Sequence, residues 1–337
     1  LRSWAIVSAV CQTSRYMSDD RGASSRLRII LAEYAMACGM GGTCQVEGTA
    51  MLAALAGSFE RMGHHVDYPT SGPQILAGRP HKVAGQEDFA RFLRSAPCDA
   101  GLVIAPDELA PEYLEILEAR GANLGADPEA ARLCADKLEC TRALARARVP
   151  VADLVEEGES PPKGCQIYVI KPRFGCGSED VRISSFCQRP EGFIATRYVQ
   201  GISLSASFIC GDGFLPLTIN RQLIEMDKDG FTYQGSQVPY PSPRADEIWD
   251  VARRAASALG LRGYAGIDMV VGDLPRVVDV NARPTTSIIG ICRVMKEELA
   301  DLIIKARLGG LPESVTIEGQ ATFQKRELAC IRSPDGL

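Results

Sequence analysis

The sequence predicts an α/β protein, and three observations carry that prediction. Through residues 28–120, β-like runs alternate with helix-periodic stretches, the pattern of a parallel sheet with crossover helices. Between residues 166 and 219, several short strand-like runs follow one another with turns between them. Residues 266–271 and 276–281 then form a hairpin-like pair around Gly272-Asp273-Leu274-Pro275. At 337 residues the chain has room for two or three packed units.

Each element has its own signal. Residues 1–26 grow polar towards their end and read as a loose extension, with Met17 a candidate natural start. Residues 28–34 are a short β-like run, followed by the glycine-rich turn Gly39-Met40-Gly41-Gly42. Residues 47–62 put Met51, Leu52, Leu55 and Phe59 on one helical stripe, and Gly63 closes it. The turn fails as a dinucleotide fingerprint, because Cys44 stands where the third glycine belongs. It reads as a tight turn before a helix, or as a cradle of N–H groups for an anion. Strands are expected at 65–68 and 101–104, and a helix at 109–120 stopped by Gly121. Asp127 is placed to cap a helix that Pro128 opens; it carries Leu133, Lys137, Leu138 and Leu144 and ends near Val149-Pro150. Residues 156–163 read as a loop, 166–171 as a strand and 174–178 as a glycine-rich loop. Further strands are expected at 180–183, 192–199, 202–209 and 214–219, and a helix at 246–259 before the hairpin. Residues 288–308 read as mostly helical and 321–325 as a weak strand.

Composition narrows the function classes. The hydrophobic share of 46% and the charged share of 23% are those of an ordinary soluble protein. No apolar run reaches the roughly 20 residues of a membrane span, so no membrane partner is expected. A formal charge of −5 argues against general nucleic-acid binding. Twelve cysteines without a CxxC pair read as reduced, small apolar residues of a cytoplasmic protein. The three histidines, His64, His65 and His81, all lie early, which disfavours a histidine-assisted nucleophile in the later part of the chain.

The hairpin concentrates chemistry. With a turn symmetric about Asp273 and Leu274, Val270 faces Val277, Asp268 faces Asp279 and Gly266 faces Asn281. Alternation then puts Val277, Asp279, Asn281 and Arg283 on one face. Opposed carboxylates repel, and the apolar neighbours Ile267, Met269, Val278 and Val280 imply that one face is buried. Such a pair calls for a cation or a shared proton. Mg²⁺ suits two carboxylates and the Asn281 amide oxygen; a shared proton suits an acid–base dyad; two solvated aspartates on an exposed edge hairpin are the plainer reading. Arg283 is placed to reach a phosphate or a developing oxyanion. Upstream, Lys171 ends a strand and precedes Pro172-Arg173-Phe174-Gly175-Cys176-Gly177-Ser178. A lysine beside a glycine-bearing turn can hold phosphates that backbone N–H groups cover. Lys137 alone reads equally as a helix-surface charge.

The order of these features resembles the ATP-grasp superfamily, over roughly residues 130–308. The resemblance implies an ATP-grasp fold preceded by a Rossmann-like domain. It divides the chain into an extension (1–26), an N-terminal α/β domain (27–127), an ATP-grasp domain (128–310, with a small lobe to about 200 and a large lobe from 201) and a tail (311–337). It implies that Lys137 and Lys171 bind the ATP phosphates, that Gly175, Gly177 and Ser178 close over them, and that Thr196 and Val199 of ATRYVQG line the adenine. It assigns Asp268, Asp279 and Asn281 to Mg²⁺ or Mn²⁺, and gives Arg283 and Lys171 catalytic roles. Thr196 departs from the glutamate common at its position, and both acids are aspartate where glutamate is common.

A closer resemblance is to the tyramine–glutamate ligase group of methanofuran biosynthesis. It rests on residues 27–39 (LRIILAEYAMACG), 47–55 (EGTAMLAAL), 98–107 (CDAGLVIAPD) and 279–290 (DVNARPTTSIIG). This group implies an ADP-forming carboxylate–amine ligase that joins the γ-carboxylate of L-glutamate to tyramine. The rivals are a ligase of the same fold for another acid–amine pair and a nucleotide-binding regulator without catalysis. Either an oligomer or a monomer is compatible with the sequence.

Overall fold

The computed structural model describes residues 26–155, 167–175, 180–226 and 230–329. The expected loop at 156–163, and Gly177 and Ser178, lie outside the described residues.

The first part runs β1 (Arg28–Glu33), α1 (Tyr34–Cys38), α2 (Gly42–Arg61), β2 (His65–Thr70), β3 (Arg79–Lys82), α3 (Gly85–Ser95), β4 (Ala100–Ile104) and α4 (Ala110–Ala119). The four strands form a parallel sheet in the order β3-β2-β1-β4. β1 is apolar on both faces because both are covered: Ile29 and Leu31 pack with the α2 side chains Leu52, Leu55 and Phe59, while Ile30 and Ala32 pack with Phe89, Leu93 and Leu117. α3 was not expected, although Phe89, Phe92 and Leu93 form an apolar stripe at helical spacing that it buries, and β3 gives no apolar signal. β3 is an edge strand, Arg-Pro-His-Lys, that buries little.

Asp127 and Pro128 start a helix as expected, but it is not continuous to Val149. It divides into α5 (Pro128–Ala135) and α6 (Lys137–Arg146). Asp136 leaves helical geometry (φ −89°, ψ 95°) and caps α6 by accepting from the Leu138 and Glu139 N–H groups. Arg173 holds that cap in a two-armed ion pair of 2.7 and 2.5 Å. The break turns Lys137 from a mid-helix residue into the first residue of α6.

A small antiparallel sheet follows, in the order β6-β5-β7: β5 (Tyr168–Pro172), β6 (Arg182–Ser184) and β7 (Phe193–Arg197). The rest comprises β8 (Ile202–Cys210), β9 (Phe214–Met226), β10 (Phe231–Val238), α7 (Ala245–Leu259), β11 (Gly263–Val271), β12 (Pro275–Asn281), α8 (Ile288–Val294), α9 (Leu299–Leu308), β13 (Ala321–Gln324) and α10 (Lys325–Leu328). Six of these strands make one antiparallel sheet, β12-β11-β8-β9-β10-β13. β9 runs past the expected end at 219, and β10 went unread, because residues 222–238 are largely polar. The helical stretch 288–308 is interrupted where Met295 bridges to Ile317.

The large sheet has two unlike faces. On one, Phe208, Ile267, Met269, Val277 and Val280 pack under Ile248, Val251 and Ala255 of α7. The other joins Ile209, Leu217 and Tyr264 to α2, α8 and α9 in a continuous apolar layer. Along that second face the apolar cover gives way to buried polar side chains: Ser205, Ser207, Thr218, Asn220 and Ser236. Asp268 belongs to this polar stretch.

Candidate functional site

The hairpin register brings the acids together, though by a different route from the symmetric turn. Gly266 pairs with Asn281, Ile267 with Val280 and Asp268 with Asp279; the next pair is Met269 with Val277. Val278 is therefore an extra, bulged residue. The expected pairing of Val270 with Val277 is wrong, since Val270 pairs with Arg276. The three-residue connection 272–274 shifts the register by one, and the bulge shifts it back before Asp279. The bulge also breaks the alternation, so Val277, Asp279, Asn281 and Arg283 do not share one face. Val277 and Val280 lie together in the apolar layer.

The bulge has a second consequence. It frees the Val278 carbonyl, which accepts a 2.5 Å hydrogen bond from Lys171 Nζ. Lys171 sits in β5 of the small sheet, so this bond joins the small sheet to the acid-bearing strand. Burial holds the Lys171 ammonium below its ordinary pKa, opposed by Asp279, with Lys137 acting in the same sense as burial. Lys137 Nζ lies 4.0 Å from Asp279 Oδ1 and also donates to the Gly175 carbonyl. Two lysines and Asp279 thus converge from α6, β5 and β12.

Asp268 is pushed up to about 7, first by burial and then by the facing Asp279 charge; hydrogen bonds from Gln222 and Asn281 and the Arg283 charge oppose the rise. Among the described residues no three His, Cys, Asp or Glu side chains gather into a metal cluster. Two facing carboxylates with an amide beside them fit a cation that completes its shell with phosphate oxygens and water, as Mg²⁺ does.

Arg283 does not stand free on the hairpin. Its Nε is 2.6 Å from Asp107 Oδ1 and its Nη2 3.4 Å from Oδ2. Asp107 follows β4, so the first sheet holds this arginine. Beside it, Glu33 at the end of β1 is buried and caps α1, accepting from the Ala35 and Met36 N–H groups at 3.0 and 2.7 Å. Burial pushes Glu33 up to about 7 against those bonds and the Arg283 charge. Gly48 makes room for it: a Cβ there would lie 2.3 Å from the carboxyl carbon. No site role is expected for Asp107 or Glu33 individually, although both lie in segments that carry the closer resemblance, 98–107 and 27–39. The turn at Gly39–Gly42 joins α1 to α2. Gly39 terminates α1 in a left-handed conformation, and the Gly41 N–H is taken by Gln45 Oε1.

Thr196 lies inside the small sheet, buried, paired with Val169 of β5 on one side and bridged to Leu154 on the other. Val199 is half-buried just past β7. Gly175 is placed beside Lys137, with a φ of +111° that favours glycine.

The ATP-grasp domain family matches residues 134–287. The tyramine–L-glutamate ligase of Methanocaldococcus fervens is 33% identical over 219 residues, covering 64% of this chain and 68% of that protein. The chain belongs to the ATP-grasp family. The tyramine–L-glutamate ligase of Methanocaldococcus jannaschii is 32% identical over 220 residues, covering 64% of each. The crystal structure of an ATP-grasp superfamily protein from Archaeoglobus fulgidus superposes with a TM-score of 0.71 and 27% identity, covering 88% of this chain and 98% of that one. The α/β class and ATP-grasp fold expected from the lysine–lysine–acid order are therefore found, and the chain is an ATP-grasp ligase. No described helix is long and apolar enough to cross a membrane.

Proposed function

We propose that this chain is an ATP-dependent carboxylate–amine ligase that joins the γ-carboxylate of L-glutamate to tyramine through an acyl phosphate, a step of methanofuran biosynthesis in the cytoplasm. One observation supports the chemistry above the rest: Asp268 faces Asp279, while Lys137 lies 4.0 Å from Asp279 and Lys171 is bonded to the neighbouring bulge. The choice of substrates rests on the relatives named tyramine–L-glutamate ligase.

In this reading Lys137 and Lys171 hold the ATP phosphates, and the segment from Gly175 through Gly177 and Ser178 covers them. Val199, with Thr196 behind it, lines the adenine side. Asp268, Asp279 and Asn281 would hold Mg²⁺ or Mn²⁺, and the ion would neutralise phosphate charge. A γ-carboxylate oxygen attacks the γ-phosphorus and ADP leaves; the amine then attacks the acyl carbon and phosphate leaves with loss of a proton. Lys171, already buried, needs no reorganisation to meet charge on the transferring group. Arg283, fixed by Asp107, stabilises the oxygen of the acyl centre. The N-terminal α/β domain (27–127) and the segments 33–43 and 284–289 shape the acceptor side.

The test is ADP release with ATP, Mg²⁺, L-glutamate and tyramine, each omitted in turn. Release that requires all four supports the assignment. Turnover with another acid–amine pair alone removes these substrates, and ATP binding without any turnover removes the ligase reading.

A further inference from the structure

The polar stretch on the large sheet leads away from the acid pair to a second charged group. Gln222 hydrogen-bonds the Asp268 carboxyl. Ser236 stands across from Gln222 on β10 and shares a 2.8 Å hydrogen bond with the Tyr233 hydroxyl. The Lys325 ammonium lies 5.2 Å from the Tyr233 ring centroid, a cation–π contact. It is also 2.7 Å from Glu47 Oε1. The path therefore begins at two carboxylates and ends at one anion beside one cation.

The plain account of Glu47 and Lys325 is a bridge that ties α10 to α2. Two observations go beyond it. Glu47 Oε1 is shut away from solvent and receives no hydrogen bond, because Lys325 approaches it outside hydrogen-bonding geometry. A buried carboxylate oxygen in a purely structural bridge is normally satisfied. Glu47 Oε2, by contrast, accepts from Thr286 Oγ1 at 3.1 Å, which fixes the carboxylate with its other oxygen unfilled. The rim of the group is open, with side-chain exposures of 21% for Lys325 and 17% for Glu47, and Oε1 itself is covered where the Lys325 ammonium lies 2.7 Å from it. Thr286 lies three residues past Arg283, so the group belongs to the rim of the same site.

We propose that Glu47 and Lys325 seat the α-ammonium and α-carboxylate of an amino-acid substrate, whose side-chain carboxyl then lies along the polar path towards Asp268 and Asp279. Glu47 Oε1 takes the N–H that Lys325 does not supply. Lys325 gives the substrate carboxylate a donor while staying over Tyr233. A zwitterion matches the two side chains charge for charge, whereas a plain diacid or a plain amino-alkyl acid leaves one of them unpaired. The inference rests on the ligase reading for the site, but not on glutamate as the amino acid.

The test compares L-glutamate with glutarate, which lacks the ammonium, and with 4-aminobutyrate, which lacks the α-carboxylate, in wild type, Glu47→Gln and Lys325→Met. Wild type is expected to favour L-glutamate over each analogue in kcat/KM. Glu47→Gln should cut the preference over glutarate by roughly 10-fold or more, and Lys325→Met the preference over 4-aminobutyrate by a similar factor, since each removes one charged hydrogen-bond partner. The KM for ATP should stay within about twofold, and Lys325→Arg should restore most of the loss. Equal losses for all three acids, or a change in melting temperature alone, overturn the proposal. If wild type does not turn over L-glutamate, the same comparison is run on the α-amino acid it does use, against the deaminated and decarboxylated forms. Collapse of discrimination there sustains this inference while glutamate falls. A protein that neither turns over nor binds any α-amino acid by calorimetry overturns it.

Discussion

Glu33 is buried and Asp268 half-buried, and both carboxyls are pushed up to about 7, yet they sit in opposite circumstances. Glu33 ends a parallel strand and meets two backbone N–H groups, in a space that Gly48 leaves open. Asp268 lies in an antiparallel strand directly across from another carboxylate. Burial is the main cause of the rise in each. The second influence differs in sign: hydrogen bonds lower Glu33, while the Asp279 charge raises Asp268 further. A raised carboxyl therefore does not mark a reactive group by itself. The one whose neighbours already satisfy it is a helix cap, and the one whose neighbour repels it has room for a cation.

The sharpest way to break this contrast is Asp279→Ala. Turnover should fall by roughly a thousandfold or more, because metal and phosphate lose a ligand together. ADP release measures it, and near-normal turnover would end the metal assignment. The fold should survive, since the change relieves a like-charge contact.

Metal dependence separates the two carboxyls without any turnover. Mg²⁺ should raise the melting temperature of wild type and of Glu33→Gln by similar amounts, and of Asp268→Asn by much less. Equal shifts in all three proteins would place the cation elsewhere.

Arg283 links the two groups, since its charge lowers both. Asp107 holds it with a side chain only 12% exposed. Asp107→Asn keeps the shape but loses the charge that fixes the guanidinium. We expect kcat to drop roughly 10- to 100-fold with little change in the KM for ATP, and Asp107→Glu to recover part of it. A change confined to the KM for ATP would argue that Arg283 serves nucleotide binding instead.

How much of this was legible follows the same physics. β1 and β4 were readable because both their faces are covered, which writes an unbroken apolar run into the sequence. The facing of Asp268 and Asp279 was readable only because two unseen shifts offset each other, a three-residue connection and a bulge at Val278. Nothing chemical distinguishes Val278 from Val277, so the bulge left no mark. Asp136 was hidden in the same manner, as one acid within a helical pattern that reveals itself as a cap only in three dimensions. The pairing of Arg283 with Asp107 joins residues 176 apart in the chain, and no local pattern reports it. β10 was not expected because it carries the polar path from Asp268, so its residues lack a continuous apolar run.

The smallest effect on activity is expected at Glu33. Its glutamine variant keeps one oxygen for the N–H groups of α1, and turnover should stay within about threefold of wild type. Its signature is in stability. A carboxyl raised from 4.5 to about 7 on folding binds more protons in the native state than in the unfolded one across that interval. Its contribution is fully present below the unfolded value and is lost as the pH rises through about 7. Wild type should thus lose stability between pH 4.5 and 7 relative to Glu33→Gln, by roughly 3 kcal/mol at most. Denaturant unfolding of both proteins at several pH values reads the difference between the two curves. A difference that grows in the other direction would mean that Glu33 is ionised in the native protein at low pH, held by Arg283 more strongly than burial opposes it. Glu33 would then be a charged partner of the site rather than a satisfied cap.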